Sequence, residues 1–182
     1  MPILGIIASS RLTAAPSSYE SIATVTVGSG GAASVTFSSI PATYTHLQIR
    51  GIWLHSTTNV AAQIRFNSDT GSNYSQHILR GNGSAVVASG QSGVSGPGVT
   101  IASNSGSGGV GASVIDILDY TNTNKYKIVK SFCGQNVNGD GNFRLYSGLW
   151  LNTTAISNIN IIPNGGSFNE YTQFALYGIK GA

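Results

Sequence analysis

The sequence predicts an all-β protein, a jelly-roll-like antiparallel β-sandwich with an extended N-terminal arm. Three observations predict it. Apolar residues recur with a period of two along most of the chain, and no long helical period competes with it. Polar turns rich in Gly, Asn and Asp separate the alternating stretches. The stretches are short and number about ten to twelve, which suits two packed antiparallel sheets. A closed barrel is the alternative, and strand order is not readable from one sequence.

The elements follow in order. Residues 1–18 read as an arm and linker, and 19–182 as one sandwich domain. The arm, MPILGIIASSRL, crowds Ile3, Leu4, Ile6 and Ile7 ahead of the loop-like run 13–18. Strands are predicted at 21–27, 33–37 and 44–55. In the last of these Leu47, Ile49 and Trp53 share a face with Gly51, and His46, Gln48 and Arg50 oppose them. Next come 60–66, where Val60, Ala62, Ile64 and Phe66 alternate with Gln63 and Arg65, and then 74–79, 84–88 and 98–102. The C-terminal half contributes 113–120, 126–133, 142–151, 156–162 and 172–179. The turns GSGG (28–31), NSDTGSN (67–73), GNG (81–83), NVNGDGN (136–142) and NGG (164–166) supply residues that tolerate positive φ. The Gly/Ser-rich segment 89–112 reads as a long flexible loop, or as a projecting loop that orders against a neighbouring subunit.

Composition narrows the function. Only 8% of the 182 residues are charged, against about 25% in ordinary soluble domains. The net charge of +3 is too small for a dedicated nucleic-acid surface. A surface of Ser, Thr, Asn and Gly repels its own kind weakly and favours packing against other chains. Cys133 is the single cysteine, so no intrachain disulfide forms. No run of 18 or more apolar residues occurs, so no membrane-spanning helix is expected. MPILGIIASS lacks the basic flank of an export signal.

Candidate chemistry is sparse. His46, His55 and His77 have no metal-ligand spacing among themselves, and Cys133 has no cysteine partner, so they read as outward polar strand residues. Asp69, with Asn67 and Asn73, superficially resembles a calcium loop but lacks the further carboxylates, and reads as an Asx-capped turn. Asp140 reads the same way. Asp116 and Asp119 fall on opposite faces of one strand, not across a cleft as a glycosidase pair must. GNGSA (81–85) and SGSGGVG (105–111) lack the ending of a phosphate loop, and no nucleophile elbow is present. Lys125, Lys127 and Lys130 around Tyr126 form the one basic cluster, read as a solvated strand end. Trp53, Trp150, Tyr74, Tyr120, Tyr126, Tyr146, Tyr171 and Tyr177 are core or rim aromatics, with a sugar platform as the minority reading. No catalytic residue, metal site or cofactor is assigned, and no enzymatic activity is expected.

Four stretches carry a resemblance. SSYESIATVTVGSGGAASVTFSSIPATYTHLQIRGI (17–52), FNSDTGSNYSQHILRGNGS (66–84) and FALYGIKG (174–181), together with MPILGIIASS, resemble a group of small tailed-bacteriophage structural proteins. The matching stretches are strands and turns, so they point to a family more sharply than to a task. The resemblance implies a virion component, on the head surface or in tail fibres. The expectation is a non-enzymatic structural protein located in the virion. It decorates or cements the capsid through self-association as a homotrimer and through contacts to major capsid protein or other virion proteins. The alternative is a tail-fibre, receptor-binding module for host cell-surface glycans. Neither nucleic acid nor membrane is an expected partner. The arm bears on both readings, because four large aliphatics left in water are sticky. Ile3, Leu4, Ile6 and Ile7 are therefore expected to bind a partner chain, the competing arrangement being a first strand of their own sandwich.

Overall fold

The computed structural model describes residues 17–55, 60–101, 103–104, 110–138 and 140–181. The expected partner-binding residues Ile3, Leu4, Ile6 and Ile7 lie outside the described residues. The described strands are β1 (Tyr19–Thr26), β2 (Val35–Phe37), β3 (His46–His55), β4 (Ala61–Phe66), β5 (Tyr74–Gly81), β6 (Val86–Val94), β7 (Gly98–Ile101), β8 (Ser103–Asn104), β9 (Gly111–Leu118), β10 (Lys127–Val137), β11 (Asp140–Trp150), β12 (Ile159–Pro163) and β13 (Gln173–Ile179). There is no helix among the described residues. Every strand predicted from alternation is present; only the two-residue β8 is additional.

The strands form two sheets, not a closed barrel. One has the order β1-β13-β3-β9-β10-β11-β5-β6, with β8 pairing alongside β3; the other is β2-β12-β4-β7. Set aside the hairpins β5–β6 and β10–β11 and the two-residue β8, and number the remaining eight strands in chain order. The sheets then read 1-8-3-6 and 2-7-4-5, the interleaved order of a jelly roll. The two hairpins are insertions. They meet through the antiparallel pair β11–β5 and extend the first sheet beyond β9 by four strands.

Alternation explains the core. In β3 the inward Leu47, Ile49 and Trp53 are fully buried, and in β4 so are Ala62, Ile64 and Phe66. They join Phe37, Ile115, Ile117, Ile159, Ile161 and Leu176 in one cluster drawn from both sheets. Each fully buried large aliphatic contributes roughly 1.5–3 kcal/mol. Phe168 stands edge-on to Trp53 and Phe174, with ring centroids 5.2 and 5.5 Å apart. Gly51 belongs to this face because a Cβ there would overlap the Phe174 ring.

The segment 89–112 is not a single loop. Ser89–Val94 continues β6, and Val99, Thr100 and Ile101 of β7 are fully buried. β7 covers the inner face of the extension. Ser131 Oγ donates to the Val99 carbonyl, the Gly98 amide donates to Gln76 Oε1 at 2.7 Å, and Ile101 packs with Cys133 and Tyr146. The low content of bulky residues conceals a strand whose glycines let backbones approach. At Gly111 a Cβ would overlap the Ile101 carbonyl oxygen.

Candidate interaction surface

Period-two pairing also places the outward side chains in rows across the first sheet. One row runs Arg50, Val114, Phe132, Leu145, Leu79, Ala88 through consecutive register partners. The next runs Ile52, Ala112, Gly134, Phe143, Gly81, Val86. From β9 outward both rows are apolar and open: Phe132 is 59% exposed and Val86 72%. The Phe143 ring leans over Gly81, where a Cβ would lie 2.5 Å from it. The exposed parts of Ile52, Leu79, Val86, Val114, Phe132, Phe143 and Leu145 amount to on the order of 600 Å², the upper end of what a monomer's largest patch reaches.

Phe132 divides this band into two hollows. One, of about 740 Å³, is lined by Leu79, Ala88, Val114 and Leu145 with Asp116 and Lys130 at its rim. The other, of about 570 Å³, is lined by Ile52, Ala112, Val114 and Ala175.

Over β1, β13 and β3 the same sheet face is different. Tyr19 stacks on Tyr177 with centroids 4.8 Å apart, and the Arg50 guanidinium lies 5.9 Å over the Tyr19 ring. Tyr19 Oη donates to Gln48 Oε1 at 2.9 Å, and Gln48 Nε2 donates to Asp116 Oδ1 at 2.8 Å. Polar groups here satisfy one another. The apolar band beside them has no such network.

The groups singled out by sequence do not converge. His55 is not outward as expected: it is buried on the inner face of β3, with Nε2 2.9 Å from the Gly165 carbonyl oxygen. His46 Nδ1 accepts the Asp119 amide at 2.9 Å, and His77 sits on the outer face of β5. Among the described residues no group of three His, Cys, Asp or Glu could hold a metal. Cys133 is buried, and burial pushes its thiol up to about 12, which leaves it inert as a nucleophile.

Asp69 does cap its own turn. It accepts the Gly71 amide at 2.8 Å and the Asn73 side-chain amide. It also accepts the Trp150 indole N–H at 2.8 Å, and this bond, the largest cause, holds its carboxyl below the usual range. Asp119 lies in the turn after β9 and pairs with Lys125, whose hydrogen bond lowers its pKa.

The basic cluster is not a solvated strand end. Lys127 is fully buried, and its ammonium donates to the carbonyls of Asn122, Lys125 (3.0 Å) and Thr153 (2.9 Å). It ties two loops together, and burial lowers its pKa. Of the aromatics, Trp53, Trp150, Tyr74, Tyr120 and Tyr146 are core. Tyr126 and Tyr171 are open, but they precede β10 and β13 at opposite ends of the sheet and make no common platform.

Sequence reasoning did not single out the band, although a signal was present. A strand buried on one side alternates apolar with polar, yet this sheet carries apolar neighbours: Val114–Ile115, Ile117–Leu118, Ile128–Val129, Ile78–Leu79 and Leu145–Tyr146. Such doublets mean that both faces are apolar. No family model, curated protein or solved structure was found that this chain matches.

Proposed function

We propose that this protein is a non-enzymatic structural subunit of a tailed-bacteriophage virion, decorating or cementing the capsid. It acts by self-association, as a homotrimer, and by contact with major capsid protein. One observation carries the reading: the outward face of the extended sheet is a continuous apolar band. In a chain with 8% charged residues, the charges beside that band, Asp116 and Lys130, stay at its rim and leave its apolar rows free for close packing of another polypeptide. The jelly-roll strand order, frequent in viral shell proteins, and the likeness of the sequence to small phage structural proteins support the same reading. A band on the order of 600 Å², with its polar margin, approaches the ~800 Å² per partner of a standard stable interface.

The test is quantitative mass spectrometry of purified virions together with the native mass of the recombinant chain. Tens to hundreds of copies per virion and a trimeric native mass are expected. A handful of copies moves the protein to the tail, and a monomer at all concentrations overturns self-association.

A further inference from the structure

We infer that the apolar band is the receptor for the chain's own N-terminal segment, residues 3–7, laid across Phe132 in extended form. The fit is one of spacing. The smaller hollow spans β13, β3, β9 and β10 and centres between β3 and β9; the larger spans β9, β10, β11, β5 and β6 and centres on β11, about two residues further along the strands. Two and a half strand spacings across and two residues along put them about 14 Å apart, at ~4.8 Å and ~3.4 Å each, with Phe132 of β10 lining both and standing between them. In an extended segment Ile3, Gly5 and Ile7 share one face, and Ile3 and Ile7 are about 13 Å apart. Ile3 and Ile7 therefore enter the two hollows, and Gly5, with no side chain, passes over the Phe132 ring. Leu4 and Ile6 point away from the sheet, free to meet a further chain, as a cementing segment requires.

The tether permits it. Nine residues, ten Cα steps, separate Ile7 from Ser17, which adjoins β1 at the far edge of the same sheet, and such a length spans up to about 35 Å. Phe132 lies four strand spacings across from β1 and about five residues along it, roughly 26 Å away. That the segment comes from a neighbouring copy rests on the self-association proposed above; the fit itself does not.

The experiment uses the full chain carrying Ala8→Cys, with a photo-crosslinker on the new thiol; Cys133 is buried and does not compete. Equal amounts of isotopically heavy and light chains are mixed before illumination. Cross-links to the strands beneath the two hollows, β3 and β9 or β10, β11 and β5, are expected, reduced at least five-fold by Phe132→Asp, by Leu145→Asp, and by Ile3→Asp combined with Ile7→Asp. Gly5→Phe alone has the same effect, and adding Phe132→Ala to it restores the yield by moving the ring from sheet to arm. Cross-links elsewhere, or a yield indifferent to Phe132→Asp in a variant with an unchanged melting curve, overturn the inference. Heavy–light cross-links support exchange between copies. Cross-links confined to single chains keep the fit and overturn the exchange. A trimer that persists without cross-links to the band overturns the fit alone.

Discussion

In β3 the inward Leu47, Ile49 and Trp53 are fully buried while the outward Gln48 and Arg50 are polar and tied to Tyr19 and Asp116. In β10 the inward Val129 and Cys133 are as buried, yet the outward Ile128 and Phe132 are apolar and open. The first strand belongs to the jelly roll, the second to the hairpins inserted beside it. The jelly roll buries one face of each sheet, and the outer face of its first sheet is polar over β1 and the Gln48–Arg50 half of β3, the apolar band starting at Ile52 and Val114. The extension is dry under β7 and apolar above. The difference separates what this chain needs to fold from what it offers to another chain, and three measurements press on that separation.

The largest effect is expected where β7 meets β9. Gly111→Ala places a Cβ against the Ile101 carbonyl oxygen, a backbone atom that cannot rotate away. Overpacking against backbone costs more than the ~1–3 kcal/mol of ordinary core insertions, so soluble folded protein should be lost or its melting temperature sharply lowered. Ala112→Gly, one residue along on the outer face, serves as the control, with a loss of about 1 kcal/mol or less. Equal melting temperatures for Gly111→Ala and the parent chain would mean that β7 does not seal the extension.

The second effect asks whether the inner face of the extension is as dry as the jelly-roll core. Burial pushes the Cys133 thiol from 9.0 up to about 12, and the Tyr74 hydroxyl from 10.0 up to about 12. In both cases the folded chain keeps a proton that the unfolded chain has released. Stability is therefore full below about pH 9 and falls as pH rises toward 12, by about 1.4 kcal/mol per unit of separation for each group. Lys127 opposes this: its pKa is lowered by burial, so its own contribution grows as pH rises toward its unfolded value of 10.5. The two raised groups outnumber it, and a net alkaline loss of several kcal/mol is expected. Thermal melts from pH 8 to 11.5, with the native-state reactivity of Cys133 toward a thiol reagent, check it. A thiol that reacts at pH 9 without unfolding would place water under β7.

Sequence made most of the fold legible, because alternation fixes each strand and its buried face without reference to neighbours. Leu47, Ile64, Ile117 and Ile161 all point where parity puts them. What it could not show depends on contacts between distant segments. β6 reads as ending at Ala88, since Ser89 to Gly93 offer no apolar face; pairing with β5 alone carries it to Val94. Lys127 reads as a surface charge because only the meeting of two loops supplies its carbonyls. The band was split among six strands, β3, β9, β10, β11, β5 and β6, whose two halves become neighbours only when the two inserted hairpins pair, and no single segment announces that pairing.

The smallest effect is the one that discriminates best. Phe132→Ser and Leu145→Ser remove large apolar side chains, and at a core position such a change costs about 3 kcal/mol or more. On the open face these residues are only about half covered by the subunit's own fold, so the monomer's stability should shift by about 1 kcal/mol, well short of the core value. The association constant, read by sedimentation equilibrium, should fall at least ten-fold, since exposed aromatics at the centre of an interface carry much of its energy. The two readouts must therefore separate: unfolding measured at concentrations below dissociation moves far less than a core truncation would move it, while assembly collapses. If instead the dilute monomer loses core-like stability, Phe132 is already covered within its own subunit. The contrast between a folded jelly roll and an unpartnered extension would then fail at its outer face while holding at its inner one.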